Sequence, residues 1–258
     1  VEVQHLLNPM LRQHLGMAAD QSGVLVTNVI WGNSAHKILQ KGDVIIAMGA
    51  SPSKKKKIAN NGTIPYGDSH RVDFLIDVTL FQCGEKLHLS VLREKKVLDV
   101  TLTLLPQFDL VPLAQHDILP PYFVYCGMVF QLLSLDYITN VFASGGGQAP
   151  KSLLVLFENS NPSEERQEVI LLAQVLTHSV NTGYDELLNS VITHINGKKL
   201  ASLHQLVQEI ETSTAEEIEL KTADDVMMIL PGPNSALAKE ARAKIAARYR
   251  VTADRSND

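Results

Sequence analysis

Apolar residues in this chain come mostly in short runs broken by Gly, Pro and Asn, a pattern that predicts strands joined by tight turns. In residues 23–30, Val24, Val26, Val29 and Ile30 suit a pleated, half-buried surface. A short helical turn is expected from Asn33-Ser34-Ala35, with Asn33 or Ser34 as its cap. Gly42 of Lys41-Gly42-Asp43 supplies the positive φ for a tight entry into the next strand, Val44 to Met48, closed by Gly49. Upstream, Asn8 caps a short helix with Pro9 at its first position and Gly16 near its end. After a polar insertion over 50–68, the 3.6-residue period of Val72, Leu75, Ile76, Thr79 and Leu80 predicts a helix over 70–82. Two alternating runs around Glu94-Lys95-Lys96 then predict a β-hairpin, with Leu87, Leu89, Val91, Leu98, Val100 and Leu102 facing inward.

The second half repeats part of this order. Residues 169–176 form an apolar strand, and Asn196-Gly197 within 191–200 is a strong hairpin signal. Ser202 caps an amphipathic helix over 202–213 whose buried face is Leu203, Leu206, Val207 and Ile210. Two strands follow at 217–222 and 226–231, and an alanine-rich helix runs from Ala236 to Tyr249, capped by Asn234 or Ser235. Between the halves, Pro106, Pro112, Pro120 and Pro121 exclude a continuous helix. A loose stretch from Ser144 to Gln148 and the polar run 158–168 read as a mobile loop. The domains expected are therefore residues 1–105, a Pro-rich linker over 106–121, a second domain over 122–231, and a C-terminal helix and tail over 232–258.

Composition narrows the function. The chain has 258 residues, 45% hydrophobic, with a formal net charge of −5, which argues against a dedicated nucleic-acid surface. No apolar run approaches the roughly 20 residues of a membrane helix. Val1 stands inside an expected strand, so the sequence reads as a fragment or processed product. The two cysteines, Cys83 and Cys126, have no metal spacing and read as buried thiols. Lys54 to Lys57 lack interleaved aromatics and read as a solvated loop. The nine histidines form no HExxH, and no GxxxxGK[ST] occurs, so neither a metal site, a phosphate cradle nor a cofactor is expected. Ser144 beside Gly145-Gly146-Gly147 reads as a flexible loop rather than a nucleophile, and no Ser-His-Asp set is discernible. Asp43 reads as a turn-stabilising carboxylate.

The order of strand, Asn-Ser-Ala turn, Lys-Gly-Asp turn and strand in residues 23–49 resembles a PDZ domain of the Deg/HtrA type. The runs VEVQHLLNPMLRQHLGM, NNGTIPY, FDLVPL, PPYFVYCGMVF, AQVLTHSVNTGY and HINGKKLASLHQLVQEIE extend the resemblance from Val1 to about Tyr249. They are similar to the two-PDZ branch of Deg proteases in plants and protists. The resemblance implies a mainly β fold with α (α+β), built of two PDZ-like, partly open β-barrels or sandwiches capped by helices, plus a C-terminal helix. It implies that a carboxylate-binding loop ending in Leu-Gly precedes Val1, and it departs from the family pattern at Ser69-His70-Arg71. A peptide would add as a strand along Val1 to His5 with the 70–82 helix as the opposite wall. Val1, Val3, His70, Phe74, Leu75 and Val78 are the residues expected to line that groove. The intact protein is implied to be an ATP-independent serine endopeptidase of protein quality control, with its trypsin-like domain upstream, acting on unfolded or C-terminal peptide segments. It would be a homo-oligomer with no nucleic-acid or membrane partner, in the nucleus, a chloroplast or a mitochondrion. The second domain is expected to regulate or dock. The alternative is a stand-alone PDZ scaffold without a protease.

Overall fold

The computed structural model describes residues 1–116, 118–143 and 147–256, and its strands fall into two sets that share no sheet. They belong to two units, Val1–Phe108 and Asp109–Asp258. Of the loose stretch predicted at Ser144 to Gln148, Ser144, Gly145 and Gly146 lie outside the described residues.

The first unit opens with β1 (Glu2–His5) and α1 (Pro9–His14), whose cap Asn8 accepts a bond from the Met10 amide at 2.8 Å. β2 (Val24–Asn28), β3 (Val44–Gly49) and β4 (Lys56–Lys57) follow, then a hairpin of β5 (Thr63–Tyr66) and β6 (His70–Asp73). A short α2 (Phe74–Val78) precedes the long hairpin of β7 (Lys86–Arg93) and β8 (Lys96–Thr103). The main sheet runs β1-β2-β3-β7-β8, with β4 on β3. Glu94 and Lys95 both take positive φ (49° and 64°), the geometry whose twist matches a two-residue hairpin. Val24, Val26, Ile45, Met48, Leu89 and Val91 pack as one apolar core.

Several expectations for this unit are corrected. The helix is confined to 74–78, because β6 pairs with β5 from Thr63↔Asp73 to Tyr66↔His70. Arg71 strengthens that pairing through Nε to Thr63 Oγ1 (2.8 Å) and Nη2 to Thr63 O (2.7 Å). Asp73 then starts the helix by accepting from the Leu75 amide at 2.8 Å. Asn33 and Ser34 cap nothing. Asn33 Oδ1 accepts from the Phe108 amide (2.8 Å) and Ser34 Oγ from the Leu105 amide (2.9 Å), so they hold the segment after β8. Leu98 shares a face with Val91 but lies at the sheet margin, exposed. Cys83 is exposed, and only Cys126 is buried. The lysine run is not merely solvated: Lys55 pairs with Asp99 at 2.5 Å and Lys56 with Asp77 of α2 at 2.7 Å.

The second unit contains β9 (Tyr122–Tyr125), β10 (Met128–Leu132), α3 (Leu135–Tyr137), a π-helical turn over Ile138–Ala143 and α4 (Lys151–Asn159). It continues with β11 (Ile170–Val175), β12 (Val191–Ile195), β13 (Lys198–Lys199), α5 (Leu203–Glu211), β14 (Glu217–Thr222), β15 (Met227–Pro231) and α6 (Ala236–Tyr249). Between the loose stretch and the polar run α4 forms, reaching only the first two residues of that run, because Leu153, Leu154, Leu156 and Phe157 recur at helical spacing and pack with Leu133, Tyr137 and Val169. The predicted buried face of α5, Leu203, Leu206, Val207 and Ile210, is buried in full.

Strand order exposes an internal repeat. β10-β11-β12-β14-β15, with β13 on β12, reproduces β1-β2-β3-β7-β8 with β4 on β3. The second sheet carries one strand more: β9 lies outside β10, in the position beyond β1 where the first sheet has none.

Candidate functional site

The repeat locates two comparable edges. In the first unit β1 is the outermost strand, and Val1, just before it, borders an apolar cavity of about 370 Å³. Val1 lines one end, Phe74, Leu75 and Val78 of α2 form a wall, and core side chains such as Leu89 and Leu102 form the floor. Asn33, Ser34 and Gln107 supply the polar rim, and no Lys or Arg is among the lining residues. Asp73 sets the first turn of α2, and the ion pair of Asp77, only 6% exposed, with Lys56 ties the same helix to the insertion. These contacts fix the wall before any ligand arrives.

Of the six residues expected to line the groove, the structure gathers Val1, Phe74, Leu75 and Val78 around this cavity. Phe74 is almost wholly buried and supports the wall from beneath, whereas Leu75 is exposed. Val3 pairs with Val26 and packs on the unit's core, and His70 is exposed on β6 opposite Tyr66; neither lines the cavity. Sequence reasoning did not single out Ser34, Gln107 and the 104–107 segment as the far rim. The signal for them was the pair of polar residues at 33 and 34, which was read as a helix cap.

In the second unit the corresponding edge is filled. β9 pairs with β10 from Tyr122↔Gln131 to Tyr125↔Met128, and α5 packs against both strands. The two strands turn at Cys126 and Gly127, both with positive φ (48° and 82°). Asn181 braces this turn: it is 1% exposed, and its Nδ2 donates to Cys126 O (2.8 Å) and Leu176 O (2.9 Å). Burial pushes the Cys126 thiol up to about 11 and raises the Tyr125 hydroxyl as well, so this cysteine is held as an inert thiol. Among the described residues no group of three His, Cys, Asp or Glu is placed to hold a metal, and no helix is long and apolar enough to cross a membrane.

The two sheets thus share one order and differ at one edge, which is open beside β1 and taken by β9 in the second unit. The chain belongs to the PDZ domain family, whose model matches residues 111–258. Beyond that half, the chain is similar over nearly its whole length to Do-like proteases. It is 27% identical over 251 residues to "Protease Do-like 4, mitochondrial" of Arabidopsis thaliana, covering 97% of this chain and 44% of that protein. It is 27% identical over 230 residues to "Protease Do-like 2, chloroplastic" of the same plant, covering 89% and 36%. With the "Serine protease DegP homolog" of Plasmodium falciparum the identity is 24% over 173 residues, covering 67% and 18%. The chain thus spans less than half the length of the curated relatives it matches.

Proposed function

We propose that this chain is the peptide-capturing and regulatory PDZ region of a Deg-type serine endopeptidase of protein quality control, and that capture belongs to the first unit. The observation that carries the division is the strand β9, which fills in the second unit the position left open beside β1 in the first. A peptide adds to β1 in extended form. Main-chain hydrogen bonds, each contributing about 1 kcal/mol net, tolerate many sequences. One apolar side chain seated against Leu75 and Val78 contributes about 2 kcal/mol more. The mainly apolar lining of the cavity suits an apolar side chain of an extended segment. Such segments are what a misfolded protein exposes. The second unit, with its slot occupied by its own strand, serves as a docking or regulatory module, and the catalytic chemistry belongs to a separate domain of the parent, as the protease names of the relatives support.

Calorimetry with extended apolar peptides, free and C-terminally amidated, tests the capture reading. Saturable binding of at least one form is expected, and no binding of either would overturn it. Casein turnover by the full-length parent, with none by this chain, is the expected result for the protease reading. An inactive parent would favour the scaffold.

A further inference from the structure

β9 has a second side, and it too is paired. Residues 253–256 lie antiparallel along its outer edge, with Phe123 opposite Arg255. The Val124 amide donates to Asp254 O at 2.6 Å, and the Ser256 amide donates to Tyr122 O at 3.1 Å. The Tyr122 hydroxyl donates to Ala253 O (3.4 Å), and its amide to Ser256 Oγ (3.3 Å). Two ion pairs add side-chain recognition. Arg255 Nη1 reaches both carboxylate oxygens of Glu211, at the end of α5, at 3.1 Å, and Asp254 pairs with Arg242 of α6. Beneath the segment remains a cavity of about 430 Å³ lined by Phe123, Ile210, Ala238 and Ile245.

This is the contact set of peptide strand addition: alternating main-chain bonds to a sheet edge, with side-chain pairs that set register. Three features mark the occupant as exchangeable. The segment buries little, since Thr252, Ala253 and Arg255 are all exposed. Exposed ion pairs contribute little each, about 0.5 kcal/mol. The apolar floor is left incompletely filled.

We infer that the outer edge of β9, with Glu211 and Arg242, is a second strand-addition site, which takes an extended peptide carrying an acidic residue followed by arginine. Residues 253–256 are its resident and exchangeable occupant. The site is separate from the groove proposed beside β1, and a Leu75→Glu substitution leaves it unchanged.

The test uses a fluorescent peptide of residues 251–256 and two forms of the chain in which the resident is removed. One ends at Val251; the other is the full chain with Asp254→Lys and Arg255→Glu, which keeps the site's own Glu211 and Arg242. Fluorescence anisotropy should show saturable binding to at least one of these, and at least tenfold weaker binding to the unaltered chain. In the form that ends at Val251, Glu211→Lys with Arg242→Glu should weaken binding tenfold or more. The peptide with its acid and arginine exchanged for Lys and Glu should then recover binding. Absence of binding to both opened forms, equal binding of a scrambled peptide, or indifference to the charge changes would each overturn the inference.

Discussion

Asp43 and Arg93 meet in a two-pronged ion pair, Nε to Oδ1 and Nη2 to Oδ2, both at 2.7 Å, that fastens the Lys41-Gly42-Asp43 turn to the end of β7. Asp43 is 1% exposed and also accepts from the Gln40 amide at 2.9 Å, while Arg93 Nη2 donates to Ile38 O at 2.8 Å. The guanidinium therefore closes the turn and the irregular segment before it in one motion. Its own ionisation is held more firmly by the bond to Asp43, which raises it. The carboxylate read from sequence as a turn stabiliser does that, through a partner fifty positions away.

Removing Arg93 strands a buried carboxylate. Arg93→Ala is expected to destabilise the first unit by about 3 kcal/mol, the low end for a broken buried pair because the arginine is partly exposed. Urea unfolding followed by Trp31 fluorescence reads this directly. A loss below about 1 kcal/mol would show that water reaches Asp43 and replaces the arginine.

Neighbouring residues of α2 separate groove from surface. Leu75 lines the cavity, whereas Ile76 is equally exposed but does not. Leu75→Glu should weaken binding of an apolar peptide at least tenfold and Ile76→Glu by less than twofold, with both variants equally folded by circular dichroism. Equal losses would place the peptide elsewhere.

The contrast between these two residues also shows what the sequence reveals. Hydrophobic period found α5 and the β7–β8 hairpin, because there the local pattern and the tertiary burial agree, whereas alanine content and a serine cap found α6. The 70–82 helix was half wrong because periodicity cannot register a competing hairpin. Arg71 and Thr63 form that hairpin through contacts across a turn, and only Phe74, Leu75 and Val78 of the predicted helix remain to line the wall. Asn33 and Ser34 look like caps by residue type, yet their partners are Phe108 and Leu105, more than seventy positions on. Strand β9 is present in the sequence as an apolar run before Cys126-Gly127, but only the pairing order reveals that it lies at the sheet edge left open beside β1.

Glu168 gives the second unit a pH signature. Burial pushes its carboxyl above the ordinary 4.5, opposed by the bond it accepts from the Leu203 amide at 2.7 Å. A carboxyl whose folded value is raised binds more protons folded than unfolded, so its contribution to stability falls as pH climbs from 4.5 through the raised value. Exposed Asp225 and Glu240, lowered by Lys221 and Lys244, act in the opposite sense. The clean readout is therefore a difference. Glu168→Gln should raise the melting temperature relative to the parent at pH 7 and lose that advantage near pH 4. A constant difference across this range would remove Glu168 from the account.

The two cysteines should separate by alkylation. Cys83 is exposed, whereas Cys126 is buried under Asn181 and its thiol is pushed up to about 11 by burial. At pH 8 iodoacetamide should modify one thiol in the folded chain and both in guanidinium, with peptide mapping assigning the first to Cys83. Rapid modification of Cys126 in the folded chain would mean that the β9–β10 turn opens readily.

That turn should also be a demanding glycine position. At Gly127, with φ of +82°, a Cβ would come within 2.4 Å of Leu176 O and 2.5 Å of Asn181 Nδ2, the two atoms whose hydrogen bond braces the hairpin. Gly183 has a similar φ of +88° but nothing within 4 Å. The pair therefore isolates crowding from backbone strain. Gly183→Ala should cost about 1 kcal/mol, the penalty of a left-handed conformation alone. Gly127→Ala should cost about 3 kcal/mol, because strain is joined by a broken, buried hydrogen bond. It should also speed hydrogen exchange at the amides of β9, since the strand that fills the second slot hangs from this turn. Equal losses in urea unfolding would show that the hairpin moves away from Asn181 without penalty, and that β9 is held by its pairing with β10 alone.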